Sequence, residues 1–236
     1  MEVYGTSEVN ESYSFVFALN ASNGRELWRF NFESAFALAY YHSNPVVHNG
    51  LLYMSSDDSV YALNVSTGMV IWNYTTGGSV TGSAAVDDSR VYIGSWDGNF
   101  YALNSSTGAK LWDVRISPVH STPAVDNGIV YVSSDDFYLY AFNASTGALM
   151  WKYLTVSPND PNAENSGMVA SPAVAEGKVY IGTNEGNVLA FGNQSELTHP
   201  FYILPIALGV LVAVIVAVAI LLFKKKMKFG IKNGFS

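Results

Sequence analysis

A short phrase recurs four times along this chain, and each copy ends in a tryptophan. The copies are ALNASNGRELW (18–28), ALNVSTGMVIW (62–72), ALNSSTGAKLW (102–112) and AFNASTGALMW (141–151). Their tryptophans are 44, 40 and 39 residues apart. A period of about 40 residues is typical of repeated units that bury their hydrophobic faces against one another. The repeat therefore predicts an array of similar units, and it constrains the fold far more than the chemistry.

Each unit is predicted to contain four short strands. In the clearest copy they are STPAV (121–125), GIVYVSS (128–134), YLYAFN (138–143) and ALMWKY (148–153), separated by turn residues. Alternating β-branched and aromatic residues favour strands, and four antiparallel strands in about 40 residues are typical of one β-propeller blade. We therefore predict an all-β fold, a β-propeller domain over residues 1–196 with blades at about 2–30, 43–74, 82–114, 121–153 and 170–193.

The glycine and the tryptophan of each phrase have structural roles in this prediction. The glycine is expected to have a positive φ in the turn between the third and fourth strands. The tryptophan, on the outermost strand, is expected to pack on the neighbouring unit; stacking on a ligand is the alternative. The residues concerned are Gly24, Trp28, Gly68, Trp72, Gly108, Trp112, Gly147 and Trp151.

The phrase ALN-x-S-T-G-x-x-x-W, preceded by PAV and VYxGSxDG, resembles the repeat of the pyrroloquinoline-quinone (PQQ)-like β-propellers over roughly residues 2–192. The resemblance implies a propeller of about seven or eight blades, of which this chain supplies four or five. A ring of four or five blades that closes alone, and closure by oligomerisation, are the alternatives. Asn20, Asn64, Asn104 and Asn143 stand where that family usually has Asp, and either side chain can hold the turn.

The family includes quinone-dependent dehydrogenases and non-catalytic propellers, among them a bacterial outer-membrane assembly scaffold. The enzymes hold PQQ and calcium with acidic and amide ligands and, in many members, a vicinal cysteine pair, whereas this chain has no cysteine. Two sets of residues are candidates for metal ligands. Asp58, Asp97, Asp136 and Glu185 recur at the tip of the second hairpin, as turn residues do, and His42, His48, His120 and His199 lack ligand spacing. We predict no catalytic residue, no cofactor and no metal.

The favoured function is therefore a non-catalytic binding or scaffolding module for an extracellular protein or glycan. The first alternative is a fragment of a cell-surface quinoprotein dehydrogenase, whose ligands for PQQ and calcium lie in other blades. A purely structural component of the cell envelope is the second alternative. Fold alone does not choose among these functions, because the same architecture supports several of them.

Residues 201–223 carry no charge over 23 positions. At about 1.5 Å rise per residue, this stretch crosses a hydrocarbon core of roughly 30 Å as one transmembrane helix. Phe201 and Tyr202 lie where interfacial aromatic residues belong. A buried soluble helix is the alternative, but an all-β array offers it nothing to pack against. Residues 197–200 are the predicted linker.

Lysines follow this span at once, in Lys224-Lys225-Lys226-Met227-Lys228. Positive residues that flank a span stay in the cytoplasm. Residues 224–236 are therefore predicted to form a basic cytoplasmic tail, and the propeller is predicted to lie outside a cell membrane that the chain crosses once. Residues before 200 carry 7 basic and 19 acidic side chains. Such an acidic surface argues against a nucleic-acid partner.

The beginning of the chain does not match the start of a secreted domain. MEVYGTSEVN has neither a basic start nor an apolar run, so it is not a signal peptide. Val3-Tyr4-Gly5-Thr6 matches the second strand of a unit, and the last unit is predicted to stop after its third strand, VLAFGN (188–193). The chain is thus expected to be a fragment whose open sheet edges can pair with another chain.

Asn-x-Ser/Thr acceptors for N-glycosylation occur at Asn10, Asn20, Asn64, Asn73, Asn104, Asn143 and Asn193. Four of them occupy the same turn of successive units, so their role in the turn is the alternative explanation. Dense acceptors without cysteine suit an archaeal cell surface. Sugars there would cover the face that bears these turns.

The opposite face carries the connections between units, where the copies diverge most. The long connections are 31–44, which is aromatic, and 154–168, which is rich in Pro and Asn. Long loops on a rigid scaffold often carry function, although drift and packing onto the blades would explain the same residues. The candidate binding residues are Phe36, Tyr40, Tyr41, His42, Trp96, Asn159 and Asp160.

Overall fold

The computed structural model describes residues 2–7, 13–33, 43–156, 170–183, 186–192 and 201–203. Every regular element in these ranges is a β-strand. The strands are β1 (Glu2–Ser7), β2 (Tyr13–Leu19), β3 (Glu26–Glu33), β4 (Val46–His48), β5 (Leu51–Ser56), β6 (Ser59–Asn64), β7 (Val70–Thr75), β8 (Ala85–Val86), β9 (Arg90–Gly94), β10 (Asn99–Asn104), β11 (Lys110–Arg115), β12 (Ala124–Asp126), β13 (Ile129–Ser133), β14 (Tyr138–Asn143), β15 (Leu149–Leu154), β16 (Ala173–Ala175), β17 (Lys178–Gly182), β18 (Val188–Phe191) and β19 (Phe201–Ile203).

These strands form five antiparallel sheets, each built from consecutive strands. We call them blade 1 (β1–β3), blade 2 (β4–β7), blade 3 (β8–β11), blade 4 (β12–β15) and blade 5 (β16–β19). Blades 2 to 5 have four strands and blade 1 has three. The predicted all-β fold of repeated four-stranded units is confirmed, and it matches part of a β-propeller.

Local sequence explains why the hairpins form where they do. In blade 4, Asn127 and Gly128 both have positive φ, 47° and 77°, as a two-residue type I′ hairpin requires. The last two strands of each of blades 1 to 4 share a register shift, which follows the repeated alanine of the ALN or AFN phrase. This bulge is part of the repeat and increases the local twist of the outer strand.

The core lies between blades. Tyr53 and Val60 of blade 2 cluster with Ile93 and Leu103 of blade 3, and all four are buried. Equivalent clusters join blades 1 and 2, blades 3 and 4, and blades 4 and 5. Burying one large apolar side chain contributes about 1.5–3 kcal/mol. A single blade cannot obtain this stabilisation alone, which is why the unit is repeated.

The first strands of blades 2 to 5 lie side by side: β4 contacts β8, β8 contacts β12, and β12 contacts β16. Backbone N–H groups just before these strands donate to a hydroxyl of the following blade. The bonds are Asn44 N to Ser83 Oγ (2.8 Å), Ser83 N to Thr122 Oγ1 (3.0 Å) and Thr122 N to Ser171 Oγ (2.9 Å). The small side chains of this innermost layer allow the blades to approach closely.

Blade 5 corrects one prediction. Its sequence predicted three strands, but β19 pairs with β18 as a fourth strand, with Phe201 opposite Ala190 and Ile203 opposite Val188. These residues were expected to begin the membrane helix. Aromatic and β-branched residues favour strands, and the pairing covers an edge that β18 would otherwise expose. The remainder of the predicted span, 204–223, the linker and the tail lie outside the described residues. Nowhere within the described ranges is there a helix with the length and hydropathy needed to cross a membrane.

Candidate functional site

The blades expose two different ends. The turns that join first to second strands and third to fourth strands meet at one end, which we call the turn face. Hydrogen bonds join these turns within a blade, from Val65 N to Gly50 O (3.1 Å) and from Ala144 N to Gly128 O (2.9 Å). The other end, the loop face, carries the tips of the second hairpins (56–58, 95–98 and 134–137) and the connections between blades (76–82 and 116–121).

Tryptophan joins neighbouring blades at the turn face. The Nε1–H groups of Trp28, Trp72 and Trp112 donate to the carbonyls of Val65 (3.0 Å), Ser105 (2.9 Å) and Ala144 (3.0 Å) of the following blade. The Ser105 carbonyl also accepts the Tyr53 hydroxyl (3.1 Å), whereas the Tyr92 hydroxyl donates to Asp87 Oδ2 (2.8 Å) and lies 3.2 Å from the Ala144 carbonyl. The Ser105 carbonyl thus receives two donors from blade 2, which fixes the distance between blades 2 and 3.

Three turn glycines, Gly68, Gly108 and Gly147, provide the surface on which the rings of Trp28, Trp72 and Trp112 lie. Gly24, Gly68, Gly108 and Gly147 have φ of 70°, 71°, 71° and 71°. A Cβ added to Gly108 would lie 2.6 Å from Cε3 of Trp72, and one added to Gly147 would lie 2.9 Å from Cδ2 of Trp112. Trp151 differs, because its ring centroid lies 5.6 Å from that of Phe191 in β18. In the described part of the chain, these tryptophans therefore contact protein on the neighbouring blade.

The repeated asparagines hold the same turns through one atom. Asn64 Oδ1 accepts the backbone N–H of Ser66 (2.9 Å) and of Thr67 (3.1 Å). The Thr67 hydroxyl also donates to this oxygen (3.2 Å). Asn104 and Asn143 make the same three bonds. At Asn20 the donors to Oδ1 are the backbone N–H and the hydroxyl of Ser22.

The aspartates at the hairpin tips of the loop face stabilise the turns by accepting hydrogen bonds. Asp97 Oδ2 accepts the Tyr101 hydroxyl (2.6 Å) and the Gly77 N–H (2.8 Å), while Oδ1 accepts the Asn99 N–H (2.8 Å). Burial alone would raise the pKa of Asp97, but the hydrogen bonds from Tyr101, Asn99 and Gly77 together lower it below its ordinary value. Burial and the adjacent carboxylate raise the pKa of Tyr101. The pair therefore stays as a neutral phenol that donates to an ionised carboxylate.

The other tip aspartates make similar contacts. Asp136 accepts the hydroxyls of Ser134 and Tyr140, and Asp58 Oδ1 accepts the Ser59 hydroxyl at 2.9 Å. Among the described residues, no three His, Cys, Asp or Glu side chains lie close enough together to hold a metal ion. Glu185 lies outside the described residues.

One cluster on the loop face combines an exposed aromatic ring with polar side chains. Trp96 stands at the tip of the second hairpin of blade 3 and is 41 % exposed. Its ring centroid lies 4.6 Å from that of His120, and its Nε1–H donates to Thr81 Oγ1 (3.2 Å). His120 Nε2 lies 3.0 Å from Asp135 Oδ2. The imidazole is thus held between an indole ring and a carboxylate at the junction of blades 3 and 4.

The backbone beside this cluster is strained. Phe137 has φ of 65°, whereas the tips of blades 3 and 5 have glycine at this position, Gly98 (φ 85°) and Gly186 (φ 79°). A bulky residue in the left-handed region costs about 1 kcal/mol or more. The Thr155 N–H (2.9 Å) and hydroxyl (2.7 Å) both donate to the Phe137 carbonyl and hold this conformation. Asp135, two residues earlier, is placed beside His120 by the bond from its backbone N–H to the Pro118 carbonyl (3.0 Å).

Of the residues predicted for the binding face, Trp96 lies in this cluster. Phe36, Tyr40, Tyr41, His42, Asn159 and Asp160 lie outside the described residues, as do the acceptors Asn10 and Asn193 and also His199. His48 lies on the turn face, where its Nε2 is 3.1 Å from Asp88 Oδ1 of the following blade. The contact between His120 and Asp135 was not predicted from the sequence. A signal for this contact was present in the sequence as a repeated spacing. Thr81 and Trp96 are 15 residues apart, and His120 and Asp135 have the same separation in the next unit.

Comparison with known proteins gives a family and several solved structures. A family model described as outer membrane protein assembly factor BamB matches residues 5–83 and 57–195. No curated protein sequence matches the chain. The structure of BamB from Moraxella catarrhalis is similar, with a TM-score of 0.61 and 19 % identity, over 75 % of this chain and 52 % of that one. The chain therefore spans about half the length of that protein.

Two further structures show how widely the architecture is shared. A quinohemoprotein alcohol dehydrogenase from Comamonas testosteroni has a TM-score of 0.55 and 21 % identity, over 64 % of this chain and 33 % of that one. The computationally designed Ika4 protein has a TM-score of 0.54 and 16 % identity, over 67 % of this chain and 94 % of that one. At such low identity these similarities establish the fold alone.

Proposed function

On the premise that this chain belongs to the BamB family of PQQ-like β-propeller repeats, we propose that it is a non-catalytic binding or scaffolding module whose loop face holds a partner protein. The observation that carries the proposal is the cluster of Trp96, His120 and Asp135. We propose further that residues 204–223, which follow the last strand of blade 5, anchor this module in a cell membrane, with the blades outside and residues 224–236 in the cytoplasm.

Trp96 has the properties of an anchor residue for a partner. The ring is 41 % exposed and stands where blades 2 and 4 have Asp57 and Asp135. Tryptophan is enriched among the residues that dominate binding energy, since it buries a large area at little cost in side-chain entropy. The hydrogen bond to Thr81 and the contact with His120 hold the indole in one orientation before a partner arrives. Such preorganisation lowers the entropic cost of binding.

The charge around Trp96 favours a protein surface that carries Lys or Arg. Five aspartates lie at the described hairpin tips: Asp57, Asp58, Asp97, Asp135 and Asp136. The basic side chains of the described outer strands nearby are Arg115 and Lys152, and Arg115 Nη1 already lies 3.4 Å from the Asp97 carbonyl. A cation placed over the tryptophan and near carboxylates gains from both the ring and the charge. A neutral glycan would gain from the stacking alone.

Site-specific photo-cross-linking in the cells that produce the full-length protein tests this proposal. A cross-linker at position 96 should capture a protein, at a segment rich in Lys or Arg. The matched control is position 111, where Leu111 is 46 % exposed on an outer strand. Capture at 96 and not at 111 supports the proposal. Equal capture at both positions, or none at 96, overturns it.

The substitution Trp96→Ala measures how much the indole contributes to the affinity for the captured partner. Loss of one exposed cation–π contact of about 1 kcal/mol should weaken binding of the captured partner roughly five-fold. Leu111→Ala should leave the affinity unchanged. Retention of full affinity by Trp96→Ala would contradict the proposal, as would Trp96-dependent binding of a glycan in place of a protein. Stoichiometric uptake of PQQ with calcium, accompanied by dye-linked alcohol oxidation, would overturn the proposal and show that the protein is an oxidoreductase.

A further inference from the structure

We propose that Asn20, Asn64, Asn104 and Asn143 are N-glycosylated and together carry a layer of sugar over the turn face. Each is followed two positions later by serine, and all four lie in the equivalent turn of successive blades. The inference is independent of what the loop face binds, since it concerns the opposite end of the blades.

The turn uses only one atom of each asparagine side chain. In blade 2 the three donors all point to Asn64 Oδ1. The same holds for Asn104 and Asn143, and in blade 1 both donors point to Asn20 Oδ1. The bonds that hold the turn therefore do not involve the amide nitrogen Nδ2. An aspartate would supply the same acceptor oxygen.

Other turns of this molecule show that aspartate performs the same task. Asp87 Oδ1 accepts the backbone N–H groups of Ser89 (2.9 Å) and Arg90 (2.8 Å). Asp97 Oδ1 accepts the N–H of Asn99 (2.8 Å). The chain thus uses a carboxylate for this geometry elsewhere on both faces, but uses asparagine in all four of these turns. What asparagine adds is Nδ2, the atom that accepts sugar.

The second functional group of the glycosylation acceptor is the serine hydroxyl. In three of the four turns this hydroxyl also takes no part in the hydrogen bonds of the turn. Ser66, Ser106 and Ser145 are exposed, and each contributes its backbone N–H to the turn. The hydroxyl that donates to Oδ1 belongs to the next residue, Thr67, Thr107 or Thr146. Thus the amide nitrogen and the serine hydroxyl of the acceptor remain outside the hydrogen bonds of the turn.

The chemistry is transfer from a lipid-linked sugar phosphate. Nδ2 attacks C1 of the sugar, the new N–C1 bond forms as the bond from C1 to the phosphate oxygen breaks, and the lipid phosphate leaves. Nδ2 loses one proton, which the departing phosphate or a base of the transferring enzyme accepts, and no atom is oxidised or reduced. The product keeps its amide carbonyl, so Oδ1 can still accept the N–H groups of Ser66 and Thr67. The finished turn and the sugar are therefore compatible.

Peptide mass spectrometry on the full-length protein, purified from the cells that naturally produce it, tests the inference. Peptides containing these four asparagines should carry a glycan mass on the asparagine. Asn73, exposed on β7 in the acceptor Asn73-Tyr74-Thr75, provides a comparison outside the repeated turn. Recovery of the four peptides in unmodified form only would overturn the inference.

Two variants of blade 2 separate glycosylation from turn stability. Ser66→Ala destroys the acceptor but keeps the backbone N–H that holds the turn, so the protein should lose one glycan and keep the fold of that turn. Thr67→Ala preserves the acceptor and removes the hydroxyl bond to Asn64, so the glycan should remain while the melting temperature falls by a few degrees. Equal glycan masses in Ser66→Ala and the parent protein would contradict modification at Asn64.

Discussion

The turn face and the loop face use the same blades in opposite ways. On the turn face, the tryptophan, the glycine and the asparagine recur in blade after blade with nearly equal geometry, so each turn is joined to the next. On the loop face, equivalent tips carry Asp57, Trp96 and Asp135 and make different contacts. The comparison indicates that the turn face maintains the distance between blades, while the loop face is free to differ.

The largest effect that would test this comparison is expected at the glycine beneath the tryptophan. Gly108→Ala should lower the free energy of unfolding by about 3 kcal/mol, because the new Cβ would lie 2.6 Å from the Trp72 ring and the residue has φ of 71°. Gly128→Ala is the matched control: its φ is 77°, but no atom lies within 4 Å of the new Cβ. It should cost about 1 kcal/mol.

Urea unfolding of the two variants measures this difference. Because both glycines have positive φ, the backbone strain is shared and the excess cost in Gly108→Ala reports the contact with Trp72. Equal losses of stability in the two variants would show that packing of the Trp72 ring does not require glycine at position 108. That result would contradict the role of the turn face in maintaining the distance between blades.

A smaller effect is expected from exchanging tryptophan for phenylalanine on the two faces. Trp112→Phe removes the bond from Nε1 to the Ala144 carbonyl and part of a packed ring, which should cost about 2 kcal/mol. Trp96→Phe alters an exposed ring on the loop face and should change stability by less than about 0.5 kcal/mol. Thermal unfolding of both variants gives the ranking, and a reversed order would contradict the assignment of the two faces.

The smallest expected effect concerns pH. The hydrogen bonds to Asp97 lower its pKa in the folded protein, so the unfolded chain binds a proton to this group more readily. The contribution to stability is present above the pKa of the unfolded chain, about 4, and is lost as the pH falls through the lower pKa of the folded protein. Since this carboxyl is partly exposed, the change should be below about 1 kcal/mol.

Asp97→Asn tests this effect, and Glu176→Gln is the control because Glu176 is an exposed turn residue. Unfolding at pH 7 and at pH 3 should show a weaker acid dependence in Asp97→Asn than in the parent protein. If Asp97→Asn and the parent protein lose the same stability between pH 7 and pH 3, then the ionised Asp97 carboxylate does not stabilise the fold.

Much of the fold follows from the sequence because each copy of the repeat carries the same kinds of strand and turn residues. The third strand of blade 4 was predicted at 138–143 and is observed at Tyr138–Asn143. Asn127 and Gly128 specify their hairpin through local φ preference alone. Each such element depends on residues close in sequence, and seeing it in several copies reduces the ambiguity of a single short strand.

The candidate site was predicted much less completely. Trp96 was singled out because it departs from the repeat, but its contact with His120 depends on how a tip of blade 3 meets the connection into blade 4. The strained φ of Phe137 likewise follows from tertiary contacts that override a local preference for glycine. β19 was missed because its pairing depends on the open edge of β18, which no local pattern reveals.

The hydroxyl bonds of the innermost layer have a consequence for how such an array can grow. Asn44, Ser83 and Thr122 each donate through the backbone to a hydroxyl at the equivalent position of the following blade. Ser83 and Thr122 each supply both halves of this junction, a donor for the next blade and an acceptor for the previous one. Duplication of one such coding segment would therefore copy a complete joint, and the inserted blade would meet both neighbours without any compensating mutation.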